Sequence, residues 1–226
     1  GVLSVASISF LSGCTVLSMS CYSVLKARLS KESLVDLKTG TPLAIGAAIG
    51  GVAGKMMFQY LSDMFTNKDQ VGAIQAVCLL MITLGTMIYT LKKDQIKTLH
   101  VQNPLVCIAI GLVLGICSSF LGIGGGPINL VVLFYFFSMD TKTAAQNSLY
   151  IILFSQITSL VNTLITHTVP EFEVGLLILM VGGGILGGAA GRIVNKRMDV
   201  NMVNKLFIGL MAVIMLICAY NIYQFM

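Results

Sequence analysis

The chain has 226 residues, 56% of them hydrophobic and only 10% charged, with a mean hydropathy of +0.91. A soluble domain carries about 25% charged residues, so this chain cannot cover a surface facing water and is read as an integral membrane protein. Its net charge of +5 fits loops that face an anionic leaflet, and no basic patch interleaved with aromatics points to nucleic acid.

Uncharged runs delimit the predicted spans: 1–25, 39–54, 70–91, 98–139, 143–170, 174–191 and 206–226. A span needs about 20 apolar residues, so six of these read as single helices. The short second run extends through Phe58 and Tyr60. The fourth is too long for one helix, and it contains the chain's densest break. Gly122, Gly124, Gly125, Gly126 and Pro127 fall within six positions. An interior Gly costs roughly 1 kcal/mol relative to Ala, and Pro about 3. The run therefore divides into a helix near 103–121 and a shorter one near 127–138. Pro127 suits the first turn of the second helix, where a missing N–H is no loss. In a bilayer such a break is tolerated only where protein or a wet cavity surrounds it. Bare glycine amides before a helix N-terminus also form an anion-binding geometry.

The chain repeats at an offset of 137 residues. Gly46, Gly50, Gly51, Ala53, Gly54 and Lys55 fall on Gly183, Gly187, Gly188, Ala190, Gly191 and Arg192. Asp36 falls on Glu173, and Ser18 on Ser155. In both copies a small-residue helix is expected to end at the cation. The predicted architecture is all-α and polytopic, with a first repeat over 1–97 and a second over 98–226. The broken helix, 103–138, lies in the second. The first repeat starts after the place where its own break belongs. It starts at Gly1, inside an apolar run and without a signal peptide's basic n-region, and so reads as truncated.

Charge counting sets the expected orientation. If the broken run crosses once, the cations divide seven and seven. If it enters and returns to the same side, twelve lie on one side and only Lys55 and Lys68 on the other. The second arrangement obeys the positive-inside rule. It makes the break a re-entrant hairpin and sets the two repeats in opposite orientations, as in many transporters.

Chemistry-bearing residues are few. The six cysteines (Cys14, Cys21, Cys78, Cys107, Cys117 and Cys218) sit in apolar segments without a CxxC pair, so they read as packing residues. His100 and His167 lie near segment ends, and neither a metal nor a cofactor is expected. No charged residue is placed at mid-span, so an embedded carboxylate relay is not visible. There is no GxSxG or HExxH, and a nucleotide-binding glycine loop would need a preceding strand; the chain is not read as an enzyme. What remains is a set of neutral polar groups around the break. Ser118 and Ser119 precede it, Asn129 follows it, and Gln146, Asn147 and Ser148 open the next helix. Ser155, Thr158 and Ser159 share one face of that helix. In the first half Ser12, Thr15, Ser18, Ser20 and Cys21 stand at the corresponding depth, where a helix's own carbonyls commonly satisfy hydroxyls.

The stretch Gly122-Ile123-Gly124-Gly125-Gly126-Pro127, followed by Ala144-x-x-Asn147-Ser148 and the G-x-x-G-G-x-A-G-[KR] repeat, resembles the sulfite exporter TauE/SafE family of bacterial and archaeal membrane transporters. The resemblance covers nearly the whole chain. It implies a two-repeat helical fold in a plasma membrane, with a glycine break in each half; this sequence carries only the second. It also implies passage of small sulfur anions such as sulfite, sulfoacetate, thiosulfate or related organosulfonates. The expected site is the amides of Gly124, Gly125 and Gly126 with the helix from Pro127, completed by Asn129, Gln146, Asn147 and Ser148 and flanked by Ser118 and Ser155. The expected partners are a small sulfur anion and the bilayer, with no nucleic acid and with homo-oligomerisation left open. Competing readings are an anion channel or uniporter of the same architecture, and a membrane scaffold that transports nothing.

Overall fold

The computed structural model describes residues 5–65, 68–121 and 126–225. Among these the chain is all helical. The helices are α1 (Val5–Leu29), α2 (Leu37–Met64), α3 (Lys68–Lys92), α4 (Pro104–Leu121), α5 (Gly126–Phe137), α6 (Thr141–Ile165), α7 (Val174–Arg197) and α8 (Val200–Phe225). All but α5 are long and apolar enough to cross a membrane. The protein is a polytopic membrane protein, as its composition requires.

The predicted break stands where the glycines fall: α4 stops at Leu121 and α5 starts at Gly126. Gly124 and Gly125 lie outside the described residues. The break frees carbonyls at the end of α4, and Gln75 of α3 donates its Nε2–H to one of them, Phe120 O, at 2.7 Å. That side-chain bond supplies what lipid cannot. From the break α5 runs back to the end where α4 began. Leu99 N–H donates to Tyr135 O at 2.7 Å, and Val101 N–H to Phe136 O at 2.9 Å. Ser138, with a left-handed φ of 52°, turns the chain there. Its hydroxyl bonds to Thr98 Oγ1 and Leu99 O. The core follows the same pairing: Cys107, early in α4, packs with Leu133 and Phe134, late in α5.

This return decides sidedness. The α1–α2 connection, the segment before α4, the start of α6 and the α7–α8 junction all meet at one end of the bundle. Glu32 pairs there with Arg192 and Lys196, each at 2.7 Å. Lys93 Nζ donates to Asn204 Oδ1 at 3.0 Å, and Lys142 Nζ to Met198 O at 2.7 Å. Twelve of the fourteen Lys and Arg gather at this cation-rich end, which the positive-inside rule makes cytoplasmic. Lys55 and Lys68 lie toward the other end.

Small residues set the tightest packing. α2 and α4 run parallel, with Gly46, Gly50 and Gly54 laid against the backbone of Ile108, Leu112 and Ile116. Gly111 and Gly115 of α4 press in turn against the carbonyls of Leu43 and Ala47. A Cβ at any of these five would run into main chain, which is the close approach that small-xxx-small stripes permit. α2 also lies along α6, where Gly51 faces the Ser155 hydroxyl. α7 runs parallel to α1, with Gly184 facing Thr15 and Gly188 facing Met19 and Ser23.

Candidate functional site

A cavity of about 450 Å³ lies in the half of the bundle toward the cation-poor end. Each wall follows from the helix geometry. α1 contributes Ser12, Gly13 and Cys14 from its first turns, and α8 contributes Leu210 and Ile214. The hairpin contributes Ser118 and Ser119 from the end of α4, and Gly126 and Pro127 from the start of α5. α6 contributes Gln156, Ser159 and Thr163, on turns that follow Ser155. α2 contributes Lys55. Toward the cation-rich end the bundle is filled by Leu43, Ala47, Cys107, Leu133, Phe134, Ala144 and Ile151.

The expected extension of the second run through Phe58 and Tyr60 is borne out, and Lys55 corrects the expectation that the small-residue helix ends at the cation. α2 runs on to Met64, so Lys55 is an interior helical residue, half-buried in the cavity wall. Its Nζ donates to Thr163 Oγ1 at 3.4 Å. No carboxylate pairs with it among the described residues. The apolar stretch Met56-Met57-Phe58 after Lys55 was the sequence signal for a longer helix. α7 likewise passes Arg192 and ends at Arg197.

The expected residues divide between places. Gly126 and Ser118 face the large cavity, and a side chain at Gly126 would meet nothing within 4 Å. Asn129, Ser118 and Ser155 surround a second space of about 10 Å³, closed by Ala47, Leu114, Gly115, Ile151 and Ile152. Asn129 is 2% exposed. Its Nδ2–H donates to Ser148 Oγ at 3.4 Å, while its Oδ1 has no partner among the described residues. Ser118 belongs to both spaces and joins them. Gln146 and Asn147 stand apart, at the cation-rich end of α6. Gln146 Oε1 accepts from Leu34 N–H at 2.9 Å, and Asn147 Nδ2–H donates to Leu34 O at 3.2 Å and Thr143 O at 2.9 Å. They brace the α1–α2 connection. In α1 Thr15, Ser18 and Ser20 bond their own i−4 carbonyls, as expected of helical hydroxyls.

The large cavity thus offers one cation, several hydroxyls, an amide side chain and the positive end of α5. No acidic residue lines it among the described residues. Such a set suits a small anion, because a partly desolvated ammonium is costly without a counter-charge and a helix N-terminus adds a favourable dipole.

No solved structure matches the chain. It is 26% identical over 185 residues to a Bacillus subtilis (strain 168) protein described as "Probable membrane transporter protein YunE". That match covers 75% of this chain and 65% of the relative's length. Residues 2–217 match the sulfite exporter TauE/SafE family model. Spanned so fully by that model, and carrying the broken glycine helix inside a polytopic bundle, the chain belongs to the TauE/SafE family.

Proposed function

We propose that the protein is a secondary transporter of a small sulfur-containing oxyanion, with sulfite, thiosulfate and short organosulfonates as the substrate class. The observation that carries this reading is Lys55, a cation without a carboxylate partner among the described residues, in a cavity of mixed polar and apolar lining beside the α5 N-terminus. The anion would sit between Lys55 and the start of α5 at Gly126 and Pro127, while the expected donors Gly124 and Gly125 lie outside the described residues. Ser118, Ser159 and Thr163 would add hydroxyl donors. Asn129, Ser148 and Ser155 would form the polar layer behind, and Gln146 and Asn147 would hold α6 in register. The family description supports the sulfur chemistry. We read the chain as two oppositely directed repeats, 1–97 and 98–226, that move against each other.

The test is uptake of sulfite, thiosulfate and a sulfonate into proteoliposomes. Wild type should move at least one of them, and Lys55→Gln should raise its half-saturating concentration roughly tenfold, the equivalent of about 1.4 kcal/mol. Wild-type uptake no greater than empty liposomes for every anion would sink the reading.

A uniporter or channel of the same architecture is the second reading, favoured by the lack of an acidic relay in the cavity lining among the described residues. Imposed proton and sodium gradients separate the two. A coupled transporter concentrates the anion against its gradient when driven, and a uniporter does not.

A further inference from the structure

Lys55 has a counterpart at the other face. α2 starts at Leu37 after its N-cap Asp36, and α7 starts at Val174 after its N-cap Glu173, 137 residues on. Both pack in parallel on a long helix through matched glycines, Gly51 on Ser155 of α6 and Gly188 on Met19 and Ser23 of α1. Lys55 and Arg192 therefore occupy one helical position in helices that run in opposite directions. Lys55 lies toward the cation-poor end and lines the cavity. Arg192 lies toward the cation-rich end, where the bundle is packed. Its Nη2 donates to Glu32 Oε2 at 2.7 Å, and its Nη1 is buried without a partner among the described residues. A guanidinium fork is built for bidentate oxyanion recognition, yet here half of the fork is unused.

We propose that Arg192 is the anion-binding cation of the alternate state, in which the cavity opens at the cation-rich face, and that Glu32 holds its place in the state seen here. This rests on the transport reading above. When two oppositely directed repeats exchange arrangements, the open setting that Lys55 has beside α6 passes to Arg192 beside α1. The bond to Glu32 must then give way to the substrate. Glu32 is also bonded by Lys196 at 2.7 Å, so the carboxylate keeps a cation when Arg192 leaves.

The test is sided. Uptake is measured in vesicles of uniform orientation, with the transported anion presented at one face or the other. Arg192→Gln should raise the half-saturating concentration roughly tenfold or more at the cation-rich face alone. Lys55→Gln should do so at the cation-poor face alone. Arg192→Lys should restore most of the loss. Glu32→Gln should lower the half-saturating concentration at the cation-rich face, because it removes the competitor; it also carries the test if Arg192→Gln does not reconstitute. The inference is overturned if Arg192→Gln shifts both faces equally or neither. It is overturned too if Glu32→Gln leaves the cation-rich face unchanged or weakens it as Arg192→Gln does, which would make the pair a structural tie. A wild type that moves no anion removes the transport reading and this inference together. A wild type that moves anion with a symmetric Arg192→Gln removes this inference alone.

Discussion

α2 and α7 carry the same glycine pattern and live in different surroundings. In α2 the stripe Gly46, Gly50, Gly54 is covered by the backbone of α4. Among the described residues, a Cβ at the matching Gly183, Gly187 or Gly191 of α7 meets nothing within 4 Å, and none of α7 is buried. Among the described residues α2 has α4 on its stripe and α7 has no helix there. A glycine stripe only removes the steric barrier to a neighbour, and whether a neighbour arrives depends on the rest of the fold. The same contrast reaches the cations. Lys55 faces a cavity, whereas Arg192 faces a carboxylate.

The largest break in this comparison should come from the stripes. Gly50→Leu would drive a side chain into the Leu112 carbonyl, and overpacking against main chain is expected to cost about 3 kcal/mol or more. Gly187→Leu should stay within roughly 0.5 kcal/mol, as unpacked positions do. Fluorescence-detected size-exclusion of detergent extracts would read this as lost monodisperse protein for the first and a normal peak for the second. Equal behaviour would show that the two stripes are packed alike.

Next in size is the loss of charge in the cavity. If Lys55 contacts the anion, Lys55→Gln should remove about 1.4 kcal/mol of binding, matching the tenfold change expected in uptake. Ligand-induced thermal stabilisation should then fall across the active anions, while the ligand-free melting temperature changes little.

A smaller difference is expected at the helix starts. Asp36 accepts from Lys38 N–H at 3.0 Å and from Thr39 Oγ1 at 2.8 Å, whereas Glu173 makes no side-chain cap bond. Asp36→Ala should cost about 1 kcal/mol and Glu173→Ala nearly nothing, measured as paired melting temperatures.

The smallest effect concerns pH at the start of α6, the helix that both α1 and α2 pack against. Burial works to raise the Asp140 carboxyl, but the Thr143 hydroxyl and the Thr143 and Lys142 amides outweigh it and hold it below its ordinary 3.8. A lowered carboxyl contributes stability that is complete above the ordinary value and is lost as pH falls through the folded one. Wild type should therefore hold its full advantage over Asp140→Asn at neutral pH and lose it as pH falls from about 4 through the lowered value.

Much of the architecture was legible in the residues. Scarce charge and long apolar runs named the solvent and the spans. Gly122 to Pro127 placed the break, because glycine and proline are costly inside a helix whatever surrounds them. Cation asymmetry chose the re-entrant path, since charge distribution follows topology. Of the cavity lining, Ser118 and Gly126 were named from their nearness to the break. Lys55 was not, although the run was expected to extend past it through Phe58 and Tyr60, because which helix face meets the cavity depends on its neighbours.

The sequence by itself determined solvent, spans, break and orientation, all of which follow from local composition and the cost of burying polar backbone. Only the tertiary structure decided which glycine stripe is covered, which cation faces a cavity, and that Gln146 and Asn147 brace a connection while Asn129 meets Ser148. Those choices depend on which helices become neighbours, and α2 and α7 show one pattern meeting two different neighbourhoods.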